Sequence, residues 1–163
     1  MIPARPDYAI LFVCTGNICR SPTAHGVLLK QLQLAGLQNR VWVDSAGTHG
    51  YHVGDPPDER SQAHAARRGY DLSPLRARRV QDQDFARHDL ILAMDHGHLA
   101  LLAEHCPPEL SHKLQAFTRW CQHHRVKDVP DPYYGDAQGF EQVLDLVEDG
   151  CAALLAHVRA QLG

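Results

Sequence analysis

A nearly continuous apolar run of strand length, Asp7-Tyr8-Ala9-Ile10-Leu11-Phe12-Val13, stops at Cys14, and a helical pattern begins a few residues later. A run this short, rich in β-formers and preceded by two prolines, predicts a buried parallel strand. Ser21-Pro22 then opens a pattern carrying Ala24, Val27, Leu28, Gln31, Leu32 and Ala35. Proline near the first turn and Gly36 at the end mark it as a helix. The segment Cys14-Thr15-Gly16-Asn17-Ile18-Cys19-Arg20-Ser21 therefore joins the carboxyl end of a strand to the amino end of a helix.

Such a junction is built to hold an anion. Successive backbone N–H groups point inward as a nest, and the helix dipole adds partial positive charge. The same field favours a nucleophilic thiolate. Arg20, planar and permanently charged, can grip two phosphate oxygens and hold the phosphorus in line with Cys14. Ser21 can donate a hydrogen bond to the sulfur. Gly16 lets the backbone come close and turn freely, and Asn17 tolerates the left-handed conformation. The bare spacing is a weak pattern, but the other cysteines supply an internal control. Six residues beyond Cys19, Cys106, Cys121 and Cys151 stand His25, His112, Lys127 and His157. Only Cys14 meets the condition; the plain alternative is a buried free cysteine acting as a small hydrophobe.

Hydrolysis of a phosphate ester also needs an acid for the leaving oxygen. Val129-Pro130-Asp131-Pro132-Tyr133-Tyr134-Gly135-Asp136 offers Asp131 between two prolines, which stiffen the backbone that aims it. Without the Cys14 loop this segment would read as a turn with two exposed tyrosines.

Val13 to Pro22 near the start and Asp131-Pro132-Tyr133-Tyr134-Gly135 near the end resemble the low-molecular-weight protein tyrosine phosphatases. Asp44-Ser45-Ala46-Gly47, the stretch from Val53-Gly54 to Pro57, Ala77-Arg78 and Ile91-Leu92-Ala93-Met94-Asp95 follow in the family's order, so the resemblance covers essentially the whole chain. It implies Cys14 as nucleophile, Arg20 as phosphate clamp, Ser21 as thiolate-stabilising donor, Asn17 as loop organiser and Asp131 as general acid. Thr15, Gly16, Ile18 and Cys19 complete the phosphate-binding loop, and Tyr51, Tyr133 and Tyr134 wall the cleft. An aromatic wall around a deep anion site selects a flat phosphorylated ring long enough to reach the floor. Relatives acting on phosphoarginine carry a small polar residue where this chain has Ile18, so the resemblance favours phosphotyrosine. Two positions depart from the pattern: Leu75 stands where a loop-supporting histidine is expected, and Tyr51 where tryptophan is frequent. The chemistry implied needs no cofactor and no metal.

Strand signals recur at Ile10 to Val13, Arg40 to Asp44, Leu90 to Met94 and Lys113 to Phe117. Helical patterns fall near Ser21 to Ala35, Asp58 to Gly69, His96 to His105 and Gly139 to Gln161. This alternation predicts an α/β fold with a parallel sheet covered on both faces. The resemblance sharpens it to a single doubly wound domain over residues 1–163, with four strands in the order 2-1-3-4. Arg67, Arg68, Arg76, Arg78, Arg79 and Arg87 form a basic stretch, expected as a solvated face able to attract acidic sequences around a phosphotyrosine.

With 163 residues, 44% hydrophobic and 21% charged, the chain suits one domain with an ordinary core. A net charge of -3 argues against nucleic acid as a partner. No stretch is apolar enough to span a bilayer, and Met1-Ile2-Pro3-Ala4-Arg5-Pro6 lacks the apolar run of an export signal, so a cytoplasmic protein without a membrane partner is expected. Five cysteines are then expected as thiols. Cys19 could trap a sulfenic acid on Cys14 as a reversible disulfide. Twelve histidines show no familiar zinc spacing, and those in Cys121-Gln122-His123-His124 and His96-Gly97-His98 are expected to face solvent.

The partners implied are tyrosine-phosphorylated proteins, a bacterial tyrosine kinase among them, with inorganic phosphate as product and a monomer or weak dimer as the assembly. Two rival readings are weighed against the sequence. One is a thiol-linked arsenate reductase, which would need two further cysteines placed to relay a disulfide, whereas Cys106 and Cys121 are far apart in sequence and outside the short segment expected to carry them; the other is a non-catalytic phosphotyrosine-binding module, against which an intact Cys14, Arg20 and Asp131 argue.

Overall fold

The computed structural model describes residues 5–163; Met1 to Ala4, part of the segment read for an export signal and containing the first of the two prolines, lie outside the described residues. Four strands, β1 (Tyr8–Cys14), β2 (Val41–Gly47), β3 (Leu90–Ala93) and β4 (Leu114–Ala116), form one parallel sheet in the order β2-β1-β3-β4. Five α-helices connect and cover them: α1 (Arg20–Leu34), α2 (Glu59–Arg67), α3 (Gln83–Arg87), α4 (His96–His105) and α5 (Ala137–Leu162).

The apolar run places β1 in the middle of the sheet, because every residue from Ala9 to Cys14 is buried. Alternation along the strand divides the core into two layers. Ile10, Phe12 and Cys14 pack with Ala24, Val27 and Leu28 of α1 and with Val143, Leu144 and Val147 of α5. Leu11 and Val13 pack on the other face with Phe85 of α3 and Leu102 of α4. Since β2 and β3 leave β1 in opposite directions, the carboxyl end of β1 is the topological switch point where doubly wound sheets bind ligands. Cys14 is its last residue.

The observed elements differ from expectation where contacts beyond the local pattern extend or stop them. β2 continues past Asp44 to Gly47, because Ser45, Ala46 and Gly47 pair with Phe12, Val13 and Cys14. α2 ends at Arg67, and Asp58 lies outside it as the N-cap, accepting from the Arg60 N–H at 2.8 Å. α3 has five residues, too few for a readable period, and is held by buried Phe85 and Asp84. Gly36, at φ +73°, ends α1 in the left-handed region.

The basic stretch is not a uniformly free face. Arg68 binds Glu141, Asp145 and Glu148 of α5, and Arg78 binds Asp44 and Asp84. Charges spent on these partners leave Arg67, Arg76, Arg79 and Arg87 as the exposed cations of the run.

Candidate active site

The loop after β1 turns by placing Asn17 at φ +59°, the only positive value outside glycine among the described residues. The side chain of Asn17 then organises its surroundings. Its Oδ1 accepts the Arg78 N–H at 3.0 Å, and its Nδ2 donates to Ser21 Oγ at 2.8 Å. Ser21 Oγ lies 3.0 Å from Cys14 Sγ. Ser21 accepts from Asn17, and its own hydrogen can reach the sulfur or, at 3.5 Å, the Ala46 carbonyl. Gly16 serves by close approach and not by an unusual turn: a Cβ there would come within 2.8 Å of the His52 ring. Gly47 plays the same part from β2, where a Cβ would lie 2.7 Å from the Thr15 carbonyl oxygen.

Arg20 opens α1 and is 4% exposed. Its Nη1 donates to Asp95 Oδ2 at 2.9 Å and to the Val129 carbonyl at 3.1 Å. Its Nη2 lies 3.6 Å from Asp131 Oδ2. Asp131 is turned by its own backbone, with Oδ1 accepting the Tyr133 N–H at 3.0 Å. Arg60 steadies this loop from α2 by donating to the Tyr133 carbonyl at 3.1 Å and stacking over the Tyr133 ring. In turn Asp58 holds Arg60, and despite burial the Arg60 contacts keep the Asp58 carboxyl below the usual carboxylate range.

These groups line a cavity of about 250 Å³ bounded by Cys14, Thr15, Gly16, Ile18, Cys19, Arg20, Tyr51, His52, Asp131, Tyr133 and Tyr134. Ten of the twelve residues proposed from sequence line it; Asn17 and Ser21 lie behind the loop wall, bonded to each other and to the sulfur. Tyr134 is 91% exposed and Tyr51 stacks on His49, so the rim is aromatic while the floor is charged. A model of the low molecular weight phosphotyrosine protein phosphatase family matches residues 9–162.

The chain belongs to this family.

A low molecular weight protein-tyrosine-phosphatase of Streptomyces coelicolor is 44% identical over 161 residues, covering 95% of this chain and 96% of the relative. The human low molecular weight phosphotyrosine protein phosphatase is 36% identical, covering 90% and 93%. Among solved structures, the protein tyrosine phosphatase of Entamoeba histolytica superposes with a TM-score of 0.91 at 38% identity, covering 94% of this chain and 97% of that one.

Several site residues escaped the sequence reading. His98, expected to face solvent, is buried at 4% exposure with its Nε2 2.7 Å from Thr15 Oγ1. Burial and the neighbouring Arg20 guanidinium push this imidazole down to about 4. His96 and His98 stand two residues apart, roughly 200° around a helix, so one faces water and the other the loop. Asp95, seen only as part of a motif, both binds Arg20 and caps α4 through Oδ1 to the His98 N–H at 2.8 Å. His123 and His124 are exposed as expected, beside Asp149, which accepts both backbone N–H groups at 2.9 Å. Leu75 packs against the core, while Asn17 takes its support from the Arg78 backbone.

The two further cysteines required by the reductase reading sit on opposite faces of the sheet, Cys106 in the layer of Leu11 and Val13 and Cys121 against the layer of Phe12. Neither lines the cavity that holds Cys14. Among the described residues no helix is long and apolar enough to cross a membrane, and no group of three or more His, Cys, Asp or Glu could hold a metal ion.

Proposed function

We propose that this chain hydrolyses phosphotyrosine in proteins, and small aryl phosphates, with Cys14 as nucleophile, Arg20 and the loop N–H groups as the phosphate cradle, and Asp131 as the acid and base. The observation that carries the assignment is the convergence on one cavity of Cys14, Arg20 and Asp131, with Asp131 Oδ2 3.6 Å from the guanidinium that would hold the phosphoryl group. An acid poised beside the phosphate grip is what distinguishes a catalyst from a binding module.

In the first step Cys14 Sγ attacks phosphorus while Asp131 gives its proton to the departing tyrosine oxygen; the S–P bond forms as the P–O bond breaks. Arg20 and the backbone nest hold the equatorial oxygens as negative charge spreads over them. Asp131, now a carboxylate, takes a proton from water, whose oxygen displaces the sulfur from the cysteinyl phosphate. Inorganic phosphate leaves and the thiolate is restored. The aromatic rim of Tyr51, Tyr133 and Tyr134 supports a substrate with a ring between phosphate and backbone.

Cys19 lines the same cavity, and burial pushes its thiol up to about 12 in spite of Ser61 beside it. It therefore rests as a neutral thiol. After peroxide converts Cys14 to a sulfenic acid, attack by Cys19 sulfur would form a disulfide and release water, a reversible protection of the nucleophile.

The deciding measurement is phosphate release from p-nitrophenyl phosphate and from a phosphotyrosyl peptide. Turnover by the wild type and its loss in Cys14→Ser are expected; a wild type inert on both substrates would overturn the assignment.

A further inference from the structure

We propose that His98 is a positioning residue for the phosphoryl-transfer site: with Asp95, Thr15 and Arg20 it closes a ring of four side chains that fixes the register of the Arg20 guanidinium. The inference rests on the phosphatase reading and adds to it a residue outside the loop. Around the ring, Asp95 Oδ2 accepts from Arg20 Nη1 at 2.9 Å, and Arg20 Nη2 donates to Thr15 Oγ1 at 3.4 Å. Thr15 Oγ1 lies 2.7 Å from His98 Nε2, and His98 Nδ1 faces Asp95 Oδ1 at 3.2 Å.

The proton inventory gives this ring a direction. A guanidinium can only donate, so His98 Nε2, 3.5 Å from Arg20 Nη2, turns its lone pair and not a hydrogen toward that side. Thr15 accepts from Arg20 and therefore turns its own hydrogen to the same Nε2. The single hydrogen of the neutral imidazole then sits on Nδ1, toward a carboxylate. Nδ1 makes no hydrogen bond although Asp95 Oδ1 lies 3.2 Å away, so that oxygen stands out of line with the ring N–H. The contact with Asp95 is thus electrostatic, and it selects the tautomer that leaves Nε2 as an acceptor.

The charged and titratable groups facing His98 are Arg20 at the start of α1, Asp95 at the start of α4, Asp131 on the acid loop and His49 after β2. With Nη1 bonded to Asp95 and the Val129 carbonyl and Nη2 to Thr15, the guanidinium cannot rotate without breaking these bonds. Its orientation matters most when charge accumulates on the equatorial oxygens, so the effect belongs to turnover more than to ground-state binding.

Three variants test this: His98→Leu removes the acceptor, His98→Gln restores an acceptor near the position of Nε2, and Thr15→Val removes the hydroxyl between histidine and arginine. For His98→Leu, kcat on p-nitrophenyl phosphate should fall about tenfold or more with KM changed by less than about threefold. Vanadate, which mimics the five-coordinate phosphorus, should bind more weakly by a similar factor. His98→Gln should recover most of both losses. The double variant His98→Leu/Thr15→Val should be little worse than the poorer single one, since both break the same ring. His98→Leu with kcat and vanadate affinity both within about twofold of wild type would overturn the proposal. So would additive losses in the double variant, or a His98→Gln protein as impaired as His98→Leu at equal melting temperature. Should His98→Leu fail to fold, His98→Gln and Thr15→Val decide: the ring predicts near-normal turnover in the first and the loss in the second, and any other result refutes it. Failure of the phosphatase reading would show separately, as a wild type that binds vanadate yet turns over no ester.

Discussion

Ser21 Oγ stands 3.0 Å from Cys14 Sγ while accepting a hydrogen bond from Asn17 Nδ2 at 2.8 Å, and the sulfur is a nearer acceptor for its hydrogen than the Ala46 carbonyl at 3.5 Å. The Cys14 sulfur thus ends a chain running from the Arg78 backbone N–H through Asn17 and Ser21. Removing the hydroxyl in Ser21→Ala should lower kcat about ten- to a hundredfold, because the hydrogen bond to the proposed nucleophilic sulfur is lost. Alkylation of Cys14 by iodoacetate should change with it, and unchanged rates of both would show that Ser21 serves only packing.

Asp131 should reveal its role through the leaving group. Asp131→Ala is expected to slow phenyl phosphate about a hundredfold or more, as loss of a general acid does, while an ester with a strongly acidic phenol loses much less in the phosphorylation step. Equal losses across a series of phenols, measured by the burst phase, would remove the acid role from this residue.

Buried histidines set the acid limb of stability. Burial holds His25 and His88 below the ordinary histidine range, and burial with Arg20 holds His98 at about 4. In the unfolded chain each takes up a proton near pH 6.5, whereas the folded chain resists, so stability is full above about pH 6.5 and falls as pH drops through the folded values. Melting temperature should be nearly level above that point and decline between pH 6.5 and about 4. A His98 ring proton resonance titrating near 6.5 would contradict the burial argument.

Arg68 joins α2 to α5 by contacting Glu141 at 2.9 Å, Asp145 at 2.9 Å and Glu148 at 2.5 Å. His64, stacked on Phe140, bonds the same Glu141, and Tyr70 bonds Glu148 at 2.5 Å. Arg68→Ala leaves three carboxylates clustered without their shared cation. A loss of about 1–3 kcal/mol in urea unfolding is expected, toward the low end because the partners are partly exposed.

Peroxide should inactivate the wild type in a form that dithiothreitol restores, and Cys19→Ser in a form that it restores far less. Equal recovery of both would show that Cys19 does not trap the oxidised Cys14.

The strand-loop-helix entry, the parallel α/β class and the spacing of Cys14, Arg20 and Ser21 were legible because each is local. An apolar run bounded by proline and glycine specifies a buried strand wherever the rest of the chain goes, and an eight-residue loop can ring only a small anion. Asp131 was legible because its prolines mark a rigid turn and because its segment resembles that of known phosphatases. Helix α3 was not, since five residues carry no period and Phe85 anchors them only once the sheet has formed.

What tertiary structure alone decided is which polar side chains share a buried space. His98 carries the same local signal as His96, yet helical phase and the β1–β3 neighbourhood turn one into water and the other onto Thr15 and Arg20. Arg68 and Arg78 read as members of one basic run, and the crossing of α5 and the end of β2 commit them to different carboxylate partners. Sequence determines the period, the breaks and the chemistry available at each position. Contacts between distant segments depend on how the elements pack, and burial makes those contacts decisive by forcing every polar group to find a partner.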